Sequence, residues 1–433
     1  MTGATKRAWH DKTCLALPDQ KGLPACQPEN RRAVSPRRCA EGPTSVDGHA
    51  NPTALWQSRG PRPRGAAPGQ LSRHARPPVE CEGRLCARGA FASDPLSAGH
   101  DDDELVALVK ADLHVHLVGS ASPRTVAALA ARYPYRGVPA DLDELRGFFA
   151  FRGFAHFLEV FTAVSALVSS PEDLLTLVAG LTEDMYEQGT AYGEVTVTPV
   201  THLRAGIAMD DLAAALDLGA KRARGEKGVE LAWVYDISGG DGPEGARLTL
   251  DAALQHPPSA LVGFGLGGPE AGVRRGDFAD YFSATRAAGL HSLPHAGESV
   301  GPDEVWAAVE ALRAERIGHG IAAVHDVRLL ERLRDEQVTL EICLSSNVAT
   351  GVVPSLTEHP LPDLLAAGVP VVLGSDDPPM FNTTLTGEYR LARDHLGVST
   401  DELYRLARSS IEASFAPERL KRRLLEGTAD RCS

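Results

Sequence analysis

The 433-residue sequence contains no run of about 18 apolar residues, the length that a membrane-spanning helix requires. Its first 20 residues also lack the apolar stretch and the small-residue cleavage site of a secretory signal. These absences argue against a membrane partner and against secretion. We therefore expect a cytoplasmic protein.

Cysteine is scarce in the part of the chain that we expect to fold. Five of the seven cysteines lie within residues 1–99, and only Cys343 and Cys432 lie beyond them. The nearest pair, Cys81 and Cys86, does not have CxxC spacing, and no HxxxH segment lies nearby. The cysteines therefore predict neither a disulfide framework nor a zinc knuckle.

The chain divides into two regions of different composition. Residues 1–99 hold 15 Lys and Arg against 8 Asp and Glu, although the whole chain has a net charge of −13. They are rich in Pro, Gly, Arg and Ser without sustained periodicity, so we predict a disordered basic extension over residues 1–102. The acidic domain predicted over 103–430 argues against a nucleic-acid partner.

Beyond the extension, short β-branched runs alternate with helical patterns, as in parallel sheets built from β-then-α units. Eight such runs predict a (β/α)₈ barrel of the TIM type, an α/β fold. The predicted strands are Ala111–Leu117, Tyr192–Thr198, Glu230–Ile237, Ala260–Leu266, His291–His295, Arg316–His319, Thr339–Leu344 and Val369–Ser375. The predicted helices between them include Met209–Arg224, Pro302–Arg313, Asp326–Arg334 and Leu361–Ala367.

Two features depart from this repeat. A helical insert over residues 142–164 follows the first strand and contains six phenylalanines, from Phe148 to Phe161. Its aromatic stripe is typical of a core helix, and its position after the first strand would also suit a lid over the barrel mouth. Two C-terminal helices, around Thr400–Ser414 and Pro417–Glu426, are expected to pack under the barrel.

A doubly wound sheet is the competing fold, but Gly263–Gly268 lacks the full phosphate-loop fingerprint.

Polar clusters fall at the carboxyl ends of five predicted strands, where barrels place their active sites. The clusters are His114-Val115-His116, His295-Ala296-Gly297-Glu298, Gly318-His319-Gly320, Ser345-Ser346-Asn347 and Ser375-Asp376-Asp377-Pro378. Histidines elsewhere are expected to be structural or exposed and to lack partners. These are His156, His202, His256, His325 and His359.

The spacing of the HxH pair indicates that both histidines can bind one metal ion. Side chains two apart on a strand share a face, so His114 and His116 both point into the barrel and can bind one ion. His295 and Asp376 would complete a shell of three imidazoles and one carboxylate. This donor set suits zinc and leaves one position open for water.

These blocks resemble the signature of the adenosine deaminase family, within the metal-dependent amidohydrolase superfamily. The resemblance covers about residues 109–415 and includes the aminodeoxyfutalosine deaminase-like branch. It implies that His114, His116, His295 and Asp376 bind the metal. Many binuclear relatives carry a bridging lysine at the end of the fourth strand, and Leu261–Leu266 contains none. We therefore expect one Zn²⁺ per subunit.

The same resemblance implies the catalytic roles. Hydroxide generated on zinc at neutral pH would attack C6 of a 6-aminopurine. Glu298 would protonate N1, which requires a raised pKa. His319 would orient the water and stabilise the developing alkoxide, and Asp376 would accept the proton of the water.

Contacts to the purine nucleoside follow from the resemblance as well. Asp377 would hydrogen-bond N7 and the backbone N–H near Gly268 would meet N3. His116 and Val118 would border the substrate. The reaction would release ammonia and leave a 6-oxo product.

The sequence departs from the family pattern at the position that usually binds the ribose 5′-hydroxyl. Adenosine deaminases read His-Leu-Asp-Gly there, and this chain has Val118 in place of the aspartate. Gly265 likewise stands where many relatives have an aspartate. Two substrates stay open: adenosine or 2′-deoxyadenosine, and an adenosine with an apolar or aromatic 5′ extension such as 6-aminodeoxyfutalosine. AMP is disfavoured because no Lys/Arg cluster flanks the motifs.

Other activities are compatible with parts of the pattern. A free-base adenine deaminase would share the chemistry, and an amidohydrolase acting on another C–N bond would share the fold. A non-catalytic binding protein is disfavoured because every expected metal and proton-transfer position is filled. The cytidine-deaminase type is excluded by the lack of HxE and PCxxC blocks. The oligomeric state is left open.

Overall fold

The computed structural model describes residues 100–151 and 154–429. The extension predicted for residues 1–102 therefore lies outside the described residues, except for its last three, which begin the first helix. Among the described residues, no helix combines the length and the apolar character needed to cross a bilayer.

Eight parallel strands pair in sequence order and form the barrel. They are β1 (Lys110–His116), β2 (Thr190–Val197), β3 (Glu230–Ser238), β4 (Leu261–Gly267), β5 (His291–Ala296), β6 (Arg316–His319), β7 (Thr339–Ile342) and β8 (Val371–Leu373). A parallel bridge between Val115 and Asp376 joins the first strand to the segment after the last. The backbone N–H of His116 donates to the Asp376 carbonyl at 3.0 Å, and the N–H of Asp376 donates to the His114 carbonyl at 2.8 Å. The predicted (β/α)₈ fold is confirmed.

Helices lie between the strands and at both ends of the barrel. In the described part of the chain they are α1 (His100–Ala107), α2 (Pro123–Arg132), α3 (Leu142–Phe148), α4 (Phe154–Ser165), α5 (Pro171–Glu187), α6 (Pro199–Arg204), α7 (Met209–Lys227), α8 (Gly242–Gln255), α9 (Ala279–Ala287), α10 (Pro302–Ala307), α11 (Val327–Glu336), α12 (Leu344–Ala349), α13 (Leu361–Ala366), α14 (Leu385–Leu396), α15 (Thr400–Glu412) and α16 (Glu418–Ala429). A π-helical turn over Ala308–Leu312 continues α10. The predicted helices between the strands are present, and Asp326 begins α11 by accepting hydrogen bonds from the N–H groups of Arg328 and Leu329.

The strands are buried on both faces because helices cover the outside and side chains fill the inside. β3 shows this pattern, since all of its residues except Ser238 are buried. The interior also contains a buried ion-pair network. Arg316 donates hydrogen bonds to Glu194 and to Glu341. The second bond runs from Nε of Arg316 to Oε1 of Glu341 at 2.6 Å. These residues link β2, β6 and β7 beneath the barrel mouth, and each charge has a partner there.

The C-terminal helices pack at the amino ends of the strands, as predicted. The Ser410 hydroxyl oxygen of α15 accepts a hydrogen bond from the N–H of Ala111 at 2.9 Å. Ile411 joins a buried apolar cluster with Leu113 and Val372. This packing closes the end of the barrel opposite the polar strand ends.

The phenylalanine-rich insert forms α3 and α4 and packs into the main apolar cluster. Phe157 is buried and its ring lies 5.0 Å from that of Phe381, between centroids. Phe161 is half-buried and lines a small cavity beside His116. The insert thus supplies part of the core and also borders the barrel mouth.

Candidate active site

The barrel brings the four predicted metal ligands together, although they lie far apart in the chain. His114 and His116 end β1, His295 lies near the end of β5, and Asp376 follows β8. The Nε2 atom of His116 lies 3.3 Å from Asp376 Oδ1 and 3.3 Å from the Nε2 atom of His295. His114 Nε2 lies 3.7 Å from the same Asp376 oxygen. Each of the four donor atoms therefore lies within 3.7 Å of at least one other.

The spacing of these atoms fits a single metal ion. Two ligands bound 2.0–2.1 Å from one ion at the tetrahedral angle would lie about 3.3 Å apart. The His116–Asp376 and His116–His295 separations have this value. The Nε2 atom of His114 is also buried and has no hydrogen-bond partner among the described residues. A buried nitrogen left in this way is suited to coordinate an ion, so the cluster has the features of a metal centre.

Glu341 on β7 holds the His114 ring from behind. Its Oε2 atom lies 2.9 Å from Nδ1 of His114, and its Oε1 atom accepts from Arg316. A carboxylate in this position keeps the proton on Nδ1 and turns the Nε2 lone pair towards the metal position. Sequence reasoning missed Glu341, although a lone glutamate in a buried strand was a usable signal.

The carboxylates give the centre a preference for positive charge. Burial lowers the pKa of His114, but interactions with Asp376 and Glu341 outweigh it and raise the pKa to about 10. Burial also lowers the pKa of His116, but its interactions, mainly with Asp376, outweigh burial and raise the pKa to about 9. A divalent cation would satisfy this preference by displacing protons from the rings.

Two glycines allow the His114 side chain to approach the neighbouring strands. A Cβ atom at Gly318 would lie 2.6 Å from Cε1 of His114, and one at Gly374 would lie 2.6 Å from Cβ of His114. Both distances are shorter than real carbon contacts. The first glycine of the GHG block is therefore required by the packing of His114 rather than by backbone flexibility.

Glu298 follows β5 and lies at the edge of the cluster of four predicted metal ligands. Its Oε2 atom lies 3.8 Å from Nε2 of His319, and its side chain is 21% exposed. Burial, and then the negative charges of Asp376 and Glu270, raise the pKa of Glu298 to about 8. A carboxyl group with this pKa stays protonated near neutral pH, as a proton donor must.

Glu270 holds the loop that carries Glu298. Its carboxylate accepts hydrogen bonds from the N–H of Gly297 at 2.7 Å and from the N–H of Ser299 at 2.6 Å. These are the residues on either side of Glu298, so the backbone at Glu298 is fixed from both sides. Glu270 is buried beside the buried Arg275, whose Nε donates to the carbonyl of His295 at 2.8 Å. Sequence reasoning gave Glu270 no role.

His319 ends β6 beside the metal cluster, with a positive φ of 59°. Its Nε2 atom lies 3.8 Å from Asp376 Oδ2, and its Nδ1 atom lies 3.2 Å from the side-chain nitrogen of Asn347. Burial, and then the neighbouring His114, lower the pKa of His319 to about 3, so the ring is neutral. The prediction of no partner was wrong for His359, whose Nε2 atom lies 3.1 Å from Asn347 Oδ1, and for His256, whose Nδ1 atom lies 2.6 Å from Asp210 Oδ1.

The predicted purine contacts lie on opposite sides of the mouth. Asp377 is buried against Gly119, and its Oδ1 atom has no hydrogen-bond partner among the described residues. Burial, and then Asp376, raise the pKa of Asp377 to about 7. Gly268 directly follows β4 with a φ of 75°, which favours glycine.

A cavity of about 30 Å³ adjoins His116 on the side of Val118. Its lining residues are His116, Leu117, Val118, Phe161, Ser165, Thr196, Val197, Thr198, Thr201 and His202. The set is mostly apolar or hydroxyl-bearing and includes no carboxylate, lysine or arginine. Val118 is buried within it, at 8% exposure.

The sequence is similar to a family profile and to named deaminases. The family profile described as adenosine deaminase matches residues 109–431. An aminodeoxyfutalosine deaminase of Streptomyces coelicolor is 47% identical over 315 residues, which cover 72% of this chain and 81% of the relative. An adenine deaminase of Rhizobium leguminosarum bv. trifolii is 37% identical over 318 residues, which cover 73% of this chain and 98% of the relative.

The fold comparison gives the same picture. The crystal structure of an adenine deaminase from Arthrobacter aurescens superposes with a TM-score of 0.71 at 29% identity, covering 75% of this chain and 98% of the other. The region that the family profile matches spans the whole barrel, including every strand end described above. The chain belongs to the adenosine deaminase family and is a hydrolytic deaminase that acts on C–N bonds.

Proposed function

We propose that this enzyme removes the 6-amino group of a purine nucleoside that carries an apolar or aromatic 5′ substituent, as in 6-aminodeoxyfutalosine. The observation that carries the proposal is the replacement of a 5′-hydroxyl-binding carboxylate by the buried Val118, beside a cavity without charged lining residues. The relative named aminodeoxyfutalosine deaminase, at 47% identity, supports the same substrate class.

The chemistry of the cavity supports this choice over free nucleosides and nucleotides. A site built to hydrogen-bond a hydroxyl can reject analogues by ~10⁴-fold or more, and a valine supplies no such bond. A 5′-phosphate would need cationic partners, and the cavity lining offers neither lysine nor arginine. The present volume of about 30 Å³ accommodates a water molecule, so an aryl group requires the cavity to widen.

We propose one Zn²⁺ bound by His114, His116, His295 and Asp376. Three neutral imidazoles and one carboxylate form a set that zinc favours, with a further position open. When bound, zinc supplies Lewis acidity that lowers the pKa of water and makes it a nucleophile near neutral pH. Metal analysis of the purified protein tests this proposal, with one zinc per subunit expected. Absence of a stoichiometric divalent metal would contradict it.

In the proposed reaction, the side chains around the metal position move the protons. Glu298 donates its proton to N1 as water adds to C6, and Asp376 accepts a proton from that water. Asp376 then passes this proton to the exocyclic nitrogen, the C6–N bond breaks to release ammonia, and the C6 hydroxyl returns its proton to the Glu298 carboxylate as the 6-oxo product forms. Glu270 keeps Glu298 aimed at the ring by holding both neighbouring residues.

The remaining contacts orient the purine. The Oδ1 atom of Asp377, without a partner among the described residues, is placed to donate to N7 from the protonated carboxyl group, and the N–H near Gly268 is placed to donate to N3. His116 borders the ribose side, next to Val118. These contacts place C6 towards the metal position and direct the 5′ substituent into the cavity.

The decisive experiment compares kcat/KM for four substrates on one preparation: adenosine, adenine, AMP and a 5′-aryl adenosine derivative. We expect the 5′-aryl derivative to be preferred. A preference for adenine would favour the free-base activity carried by the relative at 37% identity. A preference for AMP would contradict the proposal outright.

A further inference from the structure

A chain of hydrogen-bonded, buried polar side chains begins at His319, beside the proposed metal ligands, and leads away from them. The side-chain nitrogen of Asn347 lies 3.2 Å from Nδ1 of His319. The side-chain oxygen of Asn347 lies 3.1 Å from Nε2 of His359. All three residues are buried, at 4% exposure or less. We name His319, Asn347 and His359 the buried relay.

The direction of every hydrogen bond in the relay follows from one backbone group. The N–H of Leu361, which can only donate, lies 3.1 Å from Nδ1 of His359. This Nδ1 must therefore be unprotonated and accept. A neutral imidazole with an accepting Nδ1 carries its proton on Nε2, so His359 donates from Nε2 to Asn347. Burial lowers the pKa of His359 to about 4 and so keeps the ring neutral.

The same logic reaches His319. Because the oxygen of Asn347 accepts from His359, its amide nitrogen must face His319 and donate. Nδ1 of His319 then accepts, and the proton of its neutral ring lies on Nε2. This Nε2–H group points into the site, 3.8 Å from Asp376 Oδ2 and 3.8 Å from Glu298 Oε2.

We propose that Asn347 and His359 are positioning residues that hold His319 in the Nε2–H tautomer, so that it acts only as a hydrogen-bond donor. The inference concerns the role of His319 in the proposed deamination and rests on that reaction. Because the Nδ1 lone pair is occupied by Asn347, His319 has no free basic nitrogen. The proton of the attacking water is thus left to Asp376.

The tautomer also distinguishes His319 from the proposed metal ligands. His114, His295 and His319 offer ring nitrogens within 4.8 Å of one another, so proximity alone does not distinguish the three. A ligand must present an unprotonated nitrogen to the ion. The Nε2 of His319 carries a proton in the relay, whereas His114 carries its proton on Nδ1, opposite Glu341. The two rings therefore take opposite roles.

A spectroscopic test needs no substrate. The zinc-loaded, full-length protein is prepared with ¹⁵N-labelled histidine, and the His319 signals are assigned by comparison with an Asn347→Asp variant. We expect an unprotonated Nδ1 and a protonated Nε2 for His319. A protonated Nδ1, or an Nε2 signal shifted by zinc coordination, would overturn the inference. This result does not depend on which nucleoside is turned over, so it can fail while the proposed function holds.

Kinetics of matched variants give the second test. In Asn347→Asp, a carboxylate of the same shape can only accept, so Nδ1 of His319 becomes protonated and the neutral Nε2–H tautomer is lost. We expect kcat to fall ~10²-fold or more with KM and zinc content retained, as a wrong tautomer does in other histidine-dependent enzymes. His359→Leu should lower kcat, and His359→Gln should restore most of it by donating to Asn347. Unchanged kcat in Asn347→Asp, or equal losses in the two His359 variants, would contradict the role.

Discussion

The carboxylate of Glu341 lies 2.9 Å from Nδ1 of His114, on the side of the ring opposite the metal position. The pair is buried, and Arg316 contacts the other oxygen of the same carboxylate. One glutamate thus connects a proposed metal ligand to the ion-pair network inside the barrel. The orientation of the His114 ring therefore depends on residues behind it in the barrel interior.

We predict that Glu341→Gln lowers metal affinity by roughly 10–100-fold, the usual effect of removing a partner behind a ligand. The amide can keep the shape of the side chain but loses the charge that makes His114 a stronger donor. Competition with a chelator measures the affinity. Glu388→Gln is the matched control, because Glu388 is also buried but contacts Ser345 and Thr383 instead of a ligand. Equal effects in the two variants would refute the prediction.

Glu298→Gln should reduce kcat by ~10²–10⁴-fold, the range expected on loss of a general acid. Zinc content should not change, because Glu298 is not among the proposed ligands. Steady-state kinetics and metal analysis on the same sample separate the two effects. Glu310→Gln, at an exposed position on the π-helical turn, serves as the control and should match the parent. A near-normal kcat in Glu298→Gln would rule out the proton-donor role.

The pH dependence of kcat should show an alkaline limb. The pKa of Glu298 is raised to about 8, so its protonated form is present below that pH and is lost as pH rises through it. Turnover that needs this proton should then fall tenfold per pH unit. A nearby cation favours the carboxylate, so the limb should lie at or below pH 8 in the zinc enzyme. A profile that stays flat up to pH 10 would show that Glu298 is not the donor.

Val118→Asp should shift specificity towards adenosine with a free 5′-hydroxyl. The new carboxylate could bind that hydroxyl, whereas an apolar 5′ substituent would leave it buried without a partner. The ratio of kcat/KM for adenosine to that for the 5′-aryl derivative should rise at least ~10-fold. Val118→Ala tests whether lost volume alone has this effect, and it should change the ratio much less. An unchanged ratio in Val118→Asp would remove Val118 from the specificity site.

Much of the barrel was predictable because each strand is a local signal. Arg316–His319 was predicted with the observed bounds, whereas β8 is shorter at both ends than the predicted Val369–Ser375. After Leu373 the backbone leaves regular pairing, and Asp376 adopts a φ of 62° on its way to the metal cluster. Apolar periodicity does not report such a turn, since it depends on contacts with β1.

The sequence by itself determined the barrel, the strand ends that meet at its mouth, and the residue types available there. This was possible because strand periodicity and ligand spacing are properties of short segments. Only the tertiary structure decided which groups support the site: Glu341 behind His114, Glu270 around Glu298, and Asn347 with His359 behind His319. Each of these contacts joins residues from different structural elements. Their distances are set by the closure of the barrel, which no single segment encodes.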